Sequence, residues 1–255
     1  MKKRCLWCLQ SEPEVSFLKK AHTIPKSLGG ENYNNNICDE CNEYFGNRDN
    51  HNNKYSIEEA LKETFNITRK RLLDTSKPKR KIGRFKSKYF EIKIKNGKYR
   101  LDYKPSFKFS SEFQKEICRA FKRGLYKMFL EEINRQKGIG YEKSFDIIRS
   151  FARYNNGDLP VFYFVRKFGA IFLRENEIAS PVLIFDRMQY LYSNEKFVEI
   201  EFLGHVFGFP ISEFTSEDLS SYKLNSFYSK REFFVSAIAI ERLIDIDITL
   251  NIMDS

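Results

Sequence analysis

The spacing of apolar residues changes several times along the 255-residue chain, and each change predicts a different element. From Ser56, apolar residues recur at helical spacing as far as Phe65, behind a Ser-Ile-Glu-Glu sequence that is typical of a capping box. A second capping-box sequence, Ser111–Gln114, precedes apolar residues at helical spacing that stop before Gly138. The pattern therefore predicts a short helix from Ser56 and an amphipathic helix of about 25 residues that ends near Gly138.

Alternating apolar and charged residues predict β-strands in two parts of the chain. Residues 90–94 and 99–103 alternate on either side of Asn96-Gly97, a dipeptide typical of a two-residue hairpin turn. Three longer apolar runs, each predicted as one strand, cover residues 161–173, 182–192 and 196–209, and residues 193–195 join the last two. Consecutive strands with a short turn favour an antiparallel sheet that packs on the long helix.

These elements predict an α+β protein in three parts. Residues 1–54 show little periodicity and are too few to build their own core without a staple. Residues 55–104 carry the first helix, a basic linker and a basic hairpin. Residues 105–255 form a larger α+β domain, with the long helix, a short helix within 146–154 and the antiparallel sheet. Its role is open between binding DNA, binding a partner and regulating the rest of the protein.

The composition favours a folded protein, since 42% of the residues are hydrophobic and 25 are Phe. No stretch approaches the roughly 18 to 20 apolar residues of a membrane helix, and the start of the chain has no signal-peptide core. We therefore expect a soluble, cytoplasmic protein that does not enter a membrane.

The positive charge is concentrated in one segment, residues 66–104, which we call the basic block. It holds 15 Lys and Arg against three acidic residues, an excess of 12, whereas the whole chain carries +10. Such a concentration favours binding to a phosphate backbone, because neutralising phosphates releases counterions. The alternative is a solvated linker whose charges only aid solubility.

Four of the five cysteines form two Cys-x2-Cys pairs, Cys5 with Cys8 and Cys38 with Cys41, and 29 residues separate the pairs. Two such pairs can close a tetrahedron of thiolates around Zn²⁺. A redox role is disfavoured because neither pair lies at a strand-to-helix junction of a βαβ unit. We predict a structural zinc ion, and we expect the fifth cysteine, Cys118, to be a buried hydrophobic residue of a helix.

The residues between and after the two pairs give the cysteines a family context. The first pair is followed by His-Thr-Ile-Pro-Lys-Ser-Leu-Gly-Gly at 22–30, and the second by Asn-Glu-Tyr-Phe-Gly at 42–46. In this order, the segments resemble the HNH endonucleases, whose ββα-metal motif is built on a zinc-stapled treble clef. The resemblance covers residues 4 to about 50 and implies a nuclease that uses Mg²⁺ or Mn²⁺ besides the structural zinc.

The resemblance also assigns roles to three positions. His22 takes the place of the general base that activates water, a task that suits an imidazole with a pKa near 6.5. The family's middle Asn, which braces the loop holding the base, falls among Asn34, Asn35 and Asn36, and Asn36 is our candidate. Asn42 takes the place of a ligand of the catalytic divalent ion.

One position departs from the family pattern. Related enzymes carry an acidic residue or a histidine directly before the base as a second metal ligand, whereas this chain has Ala21. Mg²⁺ prefers carboxylate oxygen, so Asn42 alone would hold it poorly. Asp49 is the nearest candidate in sequence, provided that the chain folds back after Gly46, and His51 is a weaker one.

The sequence thus favours a metal-dependent endonuclease acting on nucleic acid, with DNA as the expected substrate. A rival interpretation is a zinc-dependent nucleic-acid-binding protein that has lost its catalytic ion at Ala21. A third makes the C-terminal domain a sensor, or a surface for a protein partner or a homodimer, as would suit phage defence. His205, the remaining histidine, is expected to pack in the core or at a sheet edge.

Overall fold

The computed structural model describes residues 2–46, 55–75, 87–96, 98–167, 181, 183 and 196–250. Several sequence predictions lie wholly or largely outside this range: the end of the strand at 161–173, the strand at 182–192 with the turn at 193–195, the metal-ligand candidates Asp49 and His51, and most of the basic linker that precedes the hairpin. Within the described part of the chain, no helix is long and apolar enough to cross a membrane.

The N-terminal module is a small ββα unit. Strand β1 (Ala21–His22) pairs antiparallel with β2 (Tyr33–Asn34), and helix α1 (Asp39–Gly46) follows. The connection between the strands turns tightly at Gly29, which has a φ of 89°. At Gly30, a Cβ atom would lie 2.0 Å from the backbone oxygen of Ile24, so the second glycine permits a close backbone approach.

Helix α2 (Ile57–Thr75) begins after Ser56 and is longer than the sequence predicted. The Ser56 hydroxyl accepts the Glu59 N–H at 3.4 Å and lies 3.0 Å from the Gly46 carbonyl, to which it can donate. The start of α2 is therefore attached to the end of α1. The predicted hairpin follows as β3 (Phe90–Lys95) and β4 (Lys98–Tyr103), with Asn96 at a φ of 52° in the turn.

Helix α3 (Ser111–Lys137) is the long helix that the sequence predicted, and it ends at Gly138 in the left-handed conformation. The predicted capping box does not form. The helix begins one residue earlier than a cap at Ser111 requires: its N-cap is Ser110, whose side chain makes no capping hydrogen bond, and the Gln114 side chain donates to the Lys108 carbonyl at 2.7 Å. Helix α4 (Asp146–Ala152) confirms the short helix predicted nearby.

Among the described residues, the larger sheet has four antiparallel strands in the order β6-β7-β5-β8. They are β5 (Phe162–Arg166), β6 (Phe197–Phe202), β7 (His205–Pro210) and β8 (Phe234–Ala239). The prediction of a single strand over 196–209 was wrong, because the chain reverses at Leu203 and Gly204, which have φ values of 49° and 83°. Helix α5 (Ser216–Lys230) and strand β8 were not predicted.

Helix α3 lies at the centre of the core and joins its parts. Its Phe121 packs on Phe207 of the sheet, with ring centroids 5.6 Å apart. Close to α2, a Cβ atom at Gly124 would lie 2.5 Å from Leu61, so the glycine lets the two helices approach. One buried cluster extends from Cys5 to Ile246, which confirms an α+β fold with the helix on an antiparallel sheet. The boundaries at 54 and 104 stay predictions.

Candidate active site and metal centre

The four cysteines of the two pairs converge on one point. Their sulfur atoms all lie within 4.8 Å of one another, and the Sγ atoms of Cys8 and Cys38 are 3.8 Å apart. In a tetrahedral site with Zn–S bonds of about 2.3 Å, neighbouring sulfurs lie about 3.8 Å apart. The cluster thus has the composition and spacing of a structural zinc site, and four thiolates leave the ion no open position for catalysis.

Donors around the cluster suit thiolates. The Sγ of Cys5 accepts the backbone N–H groups of Trp7 and Cys38, each at 3.4 Å, and the guanidinium of Arg153 donates to Cys41 Sγ at 3.3 Å. Hydrogen bonds that the Cys41 thiol donates to Cys38 and Cys5, together with burial, raise the pKa of Cys41. Protonated thiols are weak acceptors for these donors. A bound cation deprotonates the thiols, and the resulting thiolates accept the hydrogen bonds better.

His22 lies at the end of β1, opposite Tyr33 of β2, and its side chain is half-buried. Burial lowers the pKa of His22, and the charges of Lys26 and Lys127 act in the same direction. The carboxylate of Glu58 and the backbone of Lys20 oppose this change. The net effect is an imidazole that stays neutral, and able to accept a proton, below the pH at which an exposed histidine would ionise.

The three candidates for the middle Asn have different surroundings. Asn34 is buried: its amide oxygen accepts the backbone N–H of Asn36 at 2.9 Å, and its amide nitrogen donates to the Glu131 carbonyl at 3.1 Å. Asn36 is half-buried and donates through its side chain to the Tyr141 hydroxyl at 2.9 Å. Asn35 is exposed. Asn34 thus makes the contacts of a bracing residue, and the assignment to Asn36 stays a prediction.

Asn42 lies in α1, one turn after Cys38, and its backbone N–H donates to the Cys38 carbonyl at 3.0 Å. The side chain is half-buried and, among the residues that the structure describes, has no hydrogen-bond partner. Ala21, where the family supplies a second ligand, is 1% exposed and offers no donor atom.

Glu58 is a carboxylate near the base that sequence reasoning missed. It lies in the first turn of α2, which Ser56 attaches to the end of α1, and its charge acts on both His22 and Glu131. The side chain is half-buried and has no ion-pair partner within the described ranges. Sequence periodicity marks Glu58 only as a first-turn acid that favours the helix dipole, because its proximity to His22 arises from the packing of α2 on the module.

Comparison with known families agrees with this geometry. Residues 5–54 match the family model of the HNH endonucleases, a range that contains both cysteine pairs, His22 and Asn42. The match confirms the resemblance inferred from the sequence, and it shows that this N-terminal segment is similar to the HNH endonucleases. Residues beyond 54 are outside the match. No curated protein and no solved structure matched the chain.

Proposed function

We propose that this protein is a metal-dependent endonuclease that hydrolyses phosphodiester bonds in nucleic acid, with DNA as substrate and His22 as the general base. The observation that carries the proposal is the placement of a half-buried, neutral His22 on the β1 strand of an HNH module. Such an imidazole can take a proton from water as the water attacks phosphorus.

The surroundings of His22 support this role. Lys26 places positive charge near the ring, which disfavours the imidazolium and favours an anionic phosphate. His22 thus combines a neutral ring that can accept a proton with an environment suited to a phosphodiester.

The catalytic ion requires oxygen ligands, which Asn42 and a carboxylate can supply. A bound Mg²⁺ or Mn²⁺ would polarise the scissile phosphate and neutralise charge on the leaving oxygen. We propose that Glu58 replaces the acidic ligand missing at Ala21, since its carboxylate acts on His22 and lacks an ion-pair partner within the described residues. Asp49, from the sequence pattern, stays the alternative ligand.

Glu58 and Asp49 can be distinguished by metal affinity. Replacement of the liganding carboxylate by the isosteric amide, Glu58→Gln or Asp49→Asn, should weaken Mn²⁺ binding at least tenfold. Titration followed by the Mn²⁺ electron paramagnetic resonance signal measures this without relying on cleavage. If Glu58→Gln binds Mn²⁺ as tightly as the wild type, Glu58 is not a ligand.

We propose that nucleic acid binds around the basic block, although not all of its cations are free to contact a phosphate. Arg69 is 4% exposed, so it does not offer its charge to solvent. On the hairpin, Asp102 pairs with Lys93 at 2.9 Å and with Arg100 at 2.8 Å. Exposed ion pairs of this kind are weak, so a phosphate can compete for the two cations.

Two exposed aromatic side chains lie beside the hairpin. Tyr103 and Phe109 are 50% and 63% exposed, and their ring centroids are 5.1 Å apart. Both rings also contact Phe107, which is buried. Aromatic rings held in this way can stack on unpaired bases, whichever bases they are. We propose that they contact nucleic acid where a strand is unpaired.

The direct test is incubation of the purified full chain with plasmid DNA and Mg²⁺ or Mn²⁺. We expect nicked or linear products that EDTA abolishes. Plasmid binding without cleavage under all these conditions would contradict the nuclease proposal and favour the rival, a zinc-dependent nucleic-acid-binding module that has lost its catalytic ion.

A further inference from the structure

Helix α3 places a buried ion pair behind the nuclease module. Lys127 and Glu131 lie one turn apart, their side chains are 2% and 0% exposed, and Lys127 Nζ is 2.9 Å from Glu131 Oε2. Burying two charges is costly unless their hydrogen bonds are satisfied. A hydrophobic pair would fill the same space without that cost. The hydrogen-bond partners of the two side chains therefore indicate what the charges do there.

Lys127 directs its remaining donors to the strand that carries the base. Its ammonium group donates to the His22 carbonyl at 2.8 Å and lies 3.4 Å from the Thr23 carbonyl. It also lies 5.6 Å from the ring centroid of Phe45 in α1. With Glu131, these contacts use all three donors of the ammonium group. Lys127 therefore holds the backbone of His22 itself.

Glu131 extends the contact to the rest of the module. Its Oε1 atom accepts the indole N–H of Trp7, between Cys5 and Cys8, at 2.9 Å. Its backbone carbonyl accepts the side chain of Asn34, in β2, at 3.1 Å. Two residues of α3 thus touch Trp7 between the first two cysteines, both strands and the helix of the ββα unit.

We propose that Lys127 and Glu131 are positioning residues for the nuclease, which fix the end of β1 so that the His22 imidazole faces the substrate. The proposal rests on the proposed function and deepens it: the module depends on a helix that follows it by more than 60 residues. A displacement of about 1 Å in a catalytic group can reduce a rate about a hundredfold, so anchoring the His22 carbonyl matters for turnover.

The test is the double variant Lys127→Met/Glu131→Gln in the full chain. It removes both charges together, so that neither is left buried alone, and the glutamine still accepts the Trp7 indole N–H. We expect kcat on DNA to fall at least tenfold while KM stays within about twofold, because both side chains are almost fully buried.

Lys122→Met is the matched control. Lys122 lies on the same helix, is 6% exposed, and pairs with Asp158 at 2.6 Å, so its loss removes a buried lysine that does not contact the module. We expect its kcat to equal that of the wild type. A kcat loss that is the same in both variants would mean that the effect is one of stability, which overturns the positioning role.

Amide hydrogen exchange gives a readout that does not depend on cleavage. The peptide containing residues 21–28 should exchange faster in the double variant than in the wild type, and should be unchanged in Lys122→Met. Wild-type exchange in the double variant overturns the proposal. If the wild type does not cleave DNA but the exchange changes as expected, the proposed function fails and the anchoring by Lys127 stands.

If the double variant does not fold, Lys127→Arg provides the same test. It keeps the charge opposite Glu131, but the broader guanidinium cannot occupy the place of the ammonium group without moving the His22 carbonyl. We expect a folded protein with lowered kcat and faster exchange at 21–28. Wild-type values of both would contradict the positioning role.

Discussion

Protonation of His205 should make this fold sensitive to acid. The side chain is fully buried in β7, where its ring packs against Phe65 and Phe207. Thr68 Oγ1 donates to the Ile248 carbonyl at 2.6 Å, so it accepts from Nε2 of His205, 2.8 Å away, and the ring is the neutral Nε2–H tautomer. Nδ1 is buried and has no partner among the described residues.

The size of the effect follows from the pKa of the imidazole. Burial, assisted by the charge of Arg166, lowers the pKa of His205 from 6.5 to about 3. The unfolded chain binds a proton below pH 6.5, whereas the folded protein does not until about pH 3. Stability is therefore fully present above pH 6.5 and is lost as the pH falls, by about 1.4 kcal/mol per pH unit and about 2 kcal/mol at pH 5.

Urea denaturation of the wild type and of His205→Phe, at pH 7 and pH 5, measures this contribution. Other groups titrate equally in both proteins, so the difference between their free energies of unfolding should change by about 2 kcal/mol between the two pH values. Thr68→Val is the control, since it removes the hydroxyl partner but leaves His205 buried, and it should keep the wild-type pH dependence. A difference between wild type and His205→Phe that does not change with pH would refute the reasoning.

Three further outcomes are expected. Cys38→Ser should release zinc and unfold the N-terminal module, because a structural site supplies on the order of 10 kcal/mol of apparent folding energy; stoichiometric zinc and an unchanged melting temperature would contradict this. Replacing six basic residues by Gln should make the affinity for duplex DNA depend less on salt. The steepness of the plot of the log association constant against log salt concentration should fall by roughly 0.9 for each phosphate that is no longer neutralised. An unchanged slope would mean that the segment is a solvated linker. The six are Lys79, Arg80, Lys81, Arg84, Lys86 and Lys88. Tyr103→Ala with Phe109→Ala should weaken binding of single-stranded DNA at least tenfold in a fluorescence anisotropy titration and leave duplex binding nearly unchanged, because stacking needs unpaired bases; equal weakening on both would contradict the stacking role.

Local signals in the sequence were sufficient for several elements. Two Cys-x2-Cys pairs predict a metal cluster because four thiols have few other reasons to converge, and Asn96-Gly97 predicts a hairpin because its backbone needs positive φ. The long helix is marked by its period and by Gly138. Each of these signals depends on neighbouring residues alone.

Other elements could not be predicted from the sequence, because their pattern of apolar and polar residues depends on tertiary contacts. All six residues of β6 and all six of β7 are buried, so alternation is lost and the reversal at Leu203-Gly204 resembles the middle of one strand. Helix α5 begins with a Thr215-Asp218 capping box but buries few residues, so its period is weak. Strand β8 lies last in the order of the described strands and leaves Val235 exposed, which obscures its pattern.

Some residues of the candidate site could likewise be predicted from the sequence, and others could not. His22, Asn42 and the cysteines follow from the order of motifs within one short segment. Glu58 and Lys127 do not, because they reach the site from two later helices and their own periodicity marks them as ordinary polar positions. Asn34 is distinguished from its two neighbours only by its burial and its bond to α3.

The role of His22 is tested most directly by single-turnover cleavage with the wild type and His22→Ala, with DNA affinity measured on the same preparations. The base acts on water and contributes little binding energy, so we expect the rate to fall by at least about a hundredfold while the Kd changes less than about twofold. Cleavage by His22→Ala at the wild-type rate would contradict the assignment of His22 as the general base.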